Sequence, residues 1–279
     1  MIAPLLMMSE AAAAEGQEPA QVLIDHVHDG SEWTLPFIGE VDLNKVFGDW
    51  TIAGIPLTPT RFTVVMFIGA IALVSILLWS MRGRGQVPKG RLQTTVEIFY
   101  LFIRDEIAEK NIGHGYKRYV PYLASVFFFI LTMNLIGLIP YMATPTGNLA
   151  VTGVLAAFTF LITQLAGMRA QGVVGYWTHL VPSGVPLVLY PLFIPIELVG
   201  LFTKPFALMM RLFANMLAGH IVIYFLIGLI FILKTLLVAP VAIPFAFAIF
   251  LLEIFVAFLQ AYIFTILSSV FIGLAGHAH

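Results

Sequence analysis

From Tyr119 to its end, this 279-residue chain holds only two acidic side chains, Glu197 and Glu253. A stretch so poor in charge cannot present a water-facing surface, because soluble domains carry about a quarter charged residues. Here 10% of residues are charged, 60% are hydrophobic and the mean hydropathy is +0.97. The chain is therefore predicted to be an all-α integral membrane protein. Lipid offers the backbone no hydrogen bonds, and a helix of about 20 apolar residues satisfies its own across a core about 30 Å thick.

Five apolar segments meet that length: 62–81, 119–139, 149–168, 187–233 and 236–275. The stretch 94–110 differs, mixing Ile98, Phe99 and Phe102 with Glu97, Arg104 and Asp105, the pattern of an amphipathic surface helix. Residues 170–185, rich in Gly and Pro with Trp177, His179 and Pro182, read as a connector on the membrane face. The segment 187–233 would measure about 70 Å as one helix. Either it is steeply tilted, giving five spans, or it breaks near Lys204 and Pro205, giving six.

Charge supplies the orientation. Residues 1–60 hold nine of the fifteen acids and one base, Lys45, whereas 82–118 hold eight of the fourteen bases. Basic loops stay in the cytoplasm. The acidic segment 1–60 is thus expected outside, the membrane domain 61–279 follows, and the C-terminus falls inside. The basic run 82–91 beside a span reads as a topology signal and a contact for acidic lipid heads or partner subunits, not for nucleic acid. MIAPLLMMSEAAAAEG has no basic n-region, which predicts no cleaved signal. The chain has no cysteine, so thiol chemistry is excluded. His26 and His28, like His277 and His279, lack the further ligands a metal centre needs.

Ionisable groups within a span are costly and mark function by default. The last two segments carry Glu197, Lys204, Arg211, His220 and Glu253, with the amides Asn215 and Gln260. At 100° per residue, Glu197, Arg211 and Asn215 fall on one helical stripe, and His220 points about 180° away from Arg211. An antiparallel hairpin turning near 234–237 sets His220 level with Glu253, and Arg211 level with Gln260 about 13 Å deeper. Glu197 lies about 21 Å further toward the cytoplasm. Carboxylate and imidazole outside, arginine between and carboxylate inside describe an interrupted proton path. Guanidinium stays charged and cannot relay a proton by losing one, so Arg211 suits a fixed barrier. His220 and Glu253 can titrate and pass protons. Blander roles exist for each: snorkelling for Arg211, an ion pair with Lys204 for Glu197, a structural hydrogen bond for His220 with Glu253, and interhelical bonding for Asn215 and Gln260.

FALMMRLFANMLAGH (206–220) and LLEIFVAFLQAYIFTILSSVFI (251–272), with NLIGLIPY (134–141) and PIELVGLFTKP (195–205), resemble subunit a of the F-type ATP synthase. The similarity covers roughly residues 60–275 and leaves the N-terminal 60 residues poorly matched, without a detailed role. It implies an essential arginine at Arg211, the following asparagine at Asn215 and the glutamine facing the arginine at Gln260. It also implies an outer access channel at His220 and Glu253, whose acid and imidazole some relatives exchange, and an inner acid at Glu197. The implied fold has five transmembrane helices and a long tilted C-terminal hairpin at about 187–275, wrapped around a ring of small hairpin subunits, the c-ring. Implied partners are the c-ring, the peripheral-stalk b subunits and the bilayer of a bacterial inner membrane, with H+ rather than Na+ as the translocated ion. No cofactor is expected. The chain has no phosphate loop and no catalytic triad, so ATP chemistry would belong to the complex. The alternative, a stand-alone secondary transporter, predicts internal repeats with paired broken helices, and no repeat relates the two halves.

Overall fold

The computed structural model describes residues 30, 32–35, 39–48, 51–52, 55–56, 59–80, 90–139, 142–178, 190–233 and 235–276. His26, His28, His179, Pro182, Pro186, Lys234, His277, His279 and the basic positions 82–89 lie outside them.

Strands β1 (Glu32–Leu35) and β2 (Gly39–Asp42) form an antiparallel pair, followed by the short helix α1 (Leu43–Phe47) and a minimal ladder of β3 (Thr51–Ile52) with β4 (Ile55–Pro56). The remaining elements are helical: α2 (Arg61–Ser80), α3 (Arg91–Leu101), α4 (Val120–Gly137), α5 (Leu149–Gln171), α6 (Val173–Thr178), α7 (Tyr190–Ile232) and α8 (Ala239–Gly276). Among the described residues, five helices (α2, α4, α5, α7 and α8) are long and apolar enough to cross a membrane. Their boundaries follow the apolar runs to within a few residues. The protein is an all-α integral membrane protein.

The six-span reading fails on α7, a single helix of 43 residues that runs through Lys204 and carries Pro195 and Pro205 inside it. Proline removes a helix hydrogen bond and costs about 3 kcal/mol in water. In lipid the helical path persists, since an abandoned helix would leave many backbone groups unsatisfied. At about 64 Å, α7 crosses a 30 Å core only when strongly tilted or with projecting ends.

The expected surface helix forms but is not regular. After α3 the chain widens into π-helix over Phe102–Glu109 before a last α turn, Lys110–Ile112. The carbonyl of Ile107 accepts both the Ser269 hydroxyl (3.1 Å) and the Asn111 amide (2.7 Å), so side chains compete for a backbone acceptor within the wide stretch. Gly113, at φ 68°, ends the helix where a side chain would be strained. Arg104 donates two hydrogen bonds to Asp105 (2.6 and 2.9 Å), which hold that carboxyl below the usual carboxylate range.

The chain clusters into two compact units. One comprises the described residues up to Leu73 with Leu131–Asn148 and Phe213–Leu259. Its packing centres on Trp33, Leu43, Phe62, Val65 and Ala143, and on Ile223, Ile227 and Ala246. The other comprises the described residues of Val74–Ile130, Leu149–Leu212 and Gln260–His279. It buries Ile103, Ile107, Leu123, Leu208, Leu212 and Phe264. Within it, Tyr122 and Thr159 share a 2.7 Å hydrogen bond, and Gly273 abuts the Asn111 carbonyl too closely to admit a side chain. Along α7, Leu208, Leu212, Met216, Ile223 and Ile227 are buried at helical spacing. Along α8 the buried face includes Ala242, Ala246, Ala257, Ala261 and Ser268, small residues that let a neighbouring helix approach.

Candidate functional site

The ionisable groups of α7 separate by face. Glu197, Lys204 and Arg211, at seven-residue spacing, are exposed. Leaving a guanidinium on an apolar helix surface is costly in lipid unless something covers it. No ion pair joins Glu197 to Lys204 among the described residues; the Lys204 ammonium instead lies 6.0 Å from the centre of the Phe271 ring. Asn215 is half-buried. Gln260 is buried, and its Nε2 has no hydrogen-bond partner among the described residues. The sequence arithmetic sets Arg211 level with Gln260, but no hydrogen bond joins them: Arg211 is exposed and Gln260 is buried.

In the first unit, His220 and Glu253 meet. Nδ1 of His220 lies 3.2 Å from Oε1 of Glu253, and both side chains are largely buried. Gly219 makes this possible, because a Cβ there would collide with the Glu253 carboxylate. Nδ1 is nearer still to the Met216 carbonyl (2.9 Å), and Nε2 faces the Gly137 carbonyl (3.1 Å) and the Thr144 hydroxyl (2.9 Å). Thr144 also reaches the Gly137 carbonyl at 3.3 Å. A neutral imidazole has one N–H and satisfies one of the two carbonyls, whereas imidazolium satisfies both. Arrival of a proton therefore changes which bonds the ring makes. Oε1 of Glu253 is buried off the N–H directions and has no hydrogen bond among the described residues, which leaves an acceptor open.

A cavity of about 30 Å³ opens at the His220 ring, lined by Phe62, Met142, Ala143, Thr144, His220 and Tyr224 among others. That volume holds one or two waters, and its polar lining can bond them. Beside it, Asn134 is fully buried and satisfied, accepting from Thr146 (2.6 Å) and donating to the Ala257 carbonyl (3.4 Å). Among the described residues, no group of three or more metal-ligating side chains occurs.

Sequence reasoning missed Thr144, Tyr224 and the Gly137 carbonyl. Thr144 lies in a turn-rich loop just after NLIGLIPY, and nothing local marks its hydroxyl as facing a helix 76 positions on. It also missed a buried pair in the second unit, where Tyr176 donates to Gln164 (2.8 Å) and its ring occupies the space left by Gly167. Burial pushes the Tyr176 hydroxyl above its ordinary range, the Gln164 hydrogen bond opposes this, and the Glu197 charge adds to it. Tyr176 thus stays a protonated donor at neutral pH.

Ionisable groups set in membrane helices, as His220, Glu253 and Arg211 are here, mark by default a pathway for ions or substrates. The profile of the ATP synthase A chain family matches residues 63–273. The chain is 50% identical to ATP synthase subunit a of Chloroherpeton thalassium over 257 residues, covering 90% of this chain and 75% of that protein. It is 56% identical to ATP synthase subunit a of Myxococcus xanthus over 229 residues, 80% of this chain and 75% of the relative. With ATP synthase subunit a 2 of Chlorobaculum tepidum, identity is 47% over 283 residues, 98% and 79% of the two chains. The chain belongs to the ATP synthase A chain family, subunit a of F-type ATP synthases.

Proposed function

We propose that this chain forms two offset half-channels against a c-ring, so that H+ flow through them drives ring rotation and ATP synthesis. The observation that carries this reading is the division of charge along α7, with Arg211 exposed on one face and His220 paired with Glu253 on another. Protons enter from outside through the water-sized cavity, pass His220 and Glu253, and protonate a carboxylate on the ring. After nearly a full turn another ring carboxylate releases its proton near Glu197 to the cytoplasm. Arg211 closes the direct route between the two. Asn215, one helical turn after Arg211, positions the arginine by hydrogen bonding, and Gln260, whose Nε2 is open among the described residues, supplies a further amide donor to the path. The N-terminus faces outward and the C-terminus the cytoplasm of a bacterial membrane, as the basic residues of 82–118 and the bacterial relatives support. The peripheral-stalk b subunits hold the chain against the ring's torque.

The test is isolation of the tagged chain from detergent-solubilised membranes. A ring of small helical hairpins is expected to co-purify, and the chain reconstituted alone is expected to move no ions. Ion transport by the chain alone would overturn the reading in favour of a stand-alone transporter. A finer expectation concerns Thr144→Val, which keeps the side-chain shape and removes the hydroxyl facing His220. Proton pumping per assembled complex is expected to slow about two- to tenfold, the effect of a hydrogen bond worth about 0.5–1.5 kcal/mol. An unchanged rate would remove Thr144 from the path.

A further inference from the structure

The strands β1 and β2 carry no role in the mechanism above, yet they pack against its access cavity. Trp33 on β1 pairs in register with Val41 on β2, and both belong, with Leu43 at the start of α1, to the apolar cluster that holds Phe62 and Ala143. Trp33 and Leu43 are 8% and 3% exposed, so this contact consumes most of their apolar surface. Phe62 and Ala143 are at the same time wall residues of the cavity at His220. A second tether lies beside them, where the Arg61 N–H donates to the Gly30 carbonyl at 3.2 Å and ties the chain before β1 to the first turn of α2. The Arg61 guanidinium is itself buried, 5.5 Å from the centre of the Phe62 ring.

We propose that the β1–β2 hairpin is the outer wall of the proton access cavity, and that Trp33 and Leu43 hold Phe62 and Ala143 so that water and protons reach His220 while larger ions do not. Trp33 and Leu43 are positioning residues, since they act through Phe62 and Ala143. The size of the cavity carries the selectivity: one or two waters fit, whereas a metal cation with its hydration shell does not. The inference rests on the outward orientation proposed above.

The chain has no native cysteine, so Ala143→Cys places one thiol in the wall. Its labelling in the assembled complex is followed in right-side-out and inverted vesicles with two probes, silver ion and the bulkier, permanently charged and membrane-impermeant methanethiosulfonate ethyltrimethylammonium. With Trp33 in place, silver is expected to react readily from the outer face and the bulky reagent slowly. Adding Trp33→Ala is expected to speed the bulky reagent about tenfold or more, as local opening replaces a packed aromatic wall, with little change for silver. Trp33→Phe is expected to restore the slow rate. Leu43→Ala serves as a second loosening variant should Trp33→Ala fail to assemble. Equal bulky-reagent rates from the outer face, with and without these changes, would overturn the wall. Labelling from the cytoplasmic face alone would overturn the orientation and the inference with it.

Discussion

Inverted vesicles carrying Arg211→Ala in a fully assembled complex are expected to lose ATP-driven acidification, read with a pH-sensitive dye. The loss should be on the order of a hundredfold or more, the scale of removing one fixed electrostatic group from a water-poor site. Arg211 is exposed on α7 and makes no ion pair among the described residues, so in lipid its charge calls for a partner. In the mechanism proposed above, a carboxylate on a passing ring subunit would supply that partner, and the guanidinium would hold it ionised between the two half-channels. Without the arginine a protonated carboxylate can pass directly between them. Passive proton flux through vesicles stripped of the catalytic head should accordingly rise. Arg211→Lys should also leak, because an ammonium in oil can shed its proton and guanidinium cannot. Normal pumping by Arg211→Ala would remove the barrier from the mechanism.

The second large effect concerns the pair at the access cavity. His220→Glu sets two carboxylates within reach of each other in a buried place, and Glu253→His leaves two imidazoles there. Breaking a buried charged pair costs about 3–5 kcal/mol, so either change alone is expected to reduce pumping to background. The double exchange restores one acid and one base across the same 3.2 Å gap. It is expected to regain a measurable fraction of the rate, and the four rates together form a cycle that isolates the coupling between the positions. A double variant no better than either single one would mean that each residue acts through its own surroundings, the Met216, Gly137 and Thr144 contacts, and not through the pair. Gly219 must stay unchanged throughout, since a side chain there would displace the group at 253.

The legible part of the fold was the part governed by local rules. Helical length against bilayer thickness gave the five apolar segments and left five or six spans open, and the turn near 234–237 brought His220 level with Glu253, which the structure places 3.2 Å apart. The same arithmetic set Arg211 level with Gln260, where no hydrogen bond forms. Depth follows from rise per residue, but contact also needs both side chains to face each other, and Gln260 is buried while Arg211 is exposed. The π-helical stretch at Phe102–Glu109 carried no sequence signal, because its wide turn is supported by Ser269, more than 160 positions away.

What the sequence determined by itself was the class of molecule, its helices and the chemistry available in the last hairpin. These follow from charge poverty, apolar run length and helical period, each a property of neighbouring residues in a solvent that supplies no hydrogen bonds. Only the tertiary structure decided that the Gly137 carbonyl and Thr144 hydroxyl face the His220 ring, that Glu253 Oε1 is left open, and that Trp33 and Leu43 cluster with Phe62 and Ala143. Those are contacts between segments distant in the chain. Their geometry is set by how side chains of particular shape fill space between packed elements, which no local periodicity encodes.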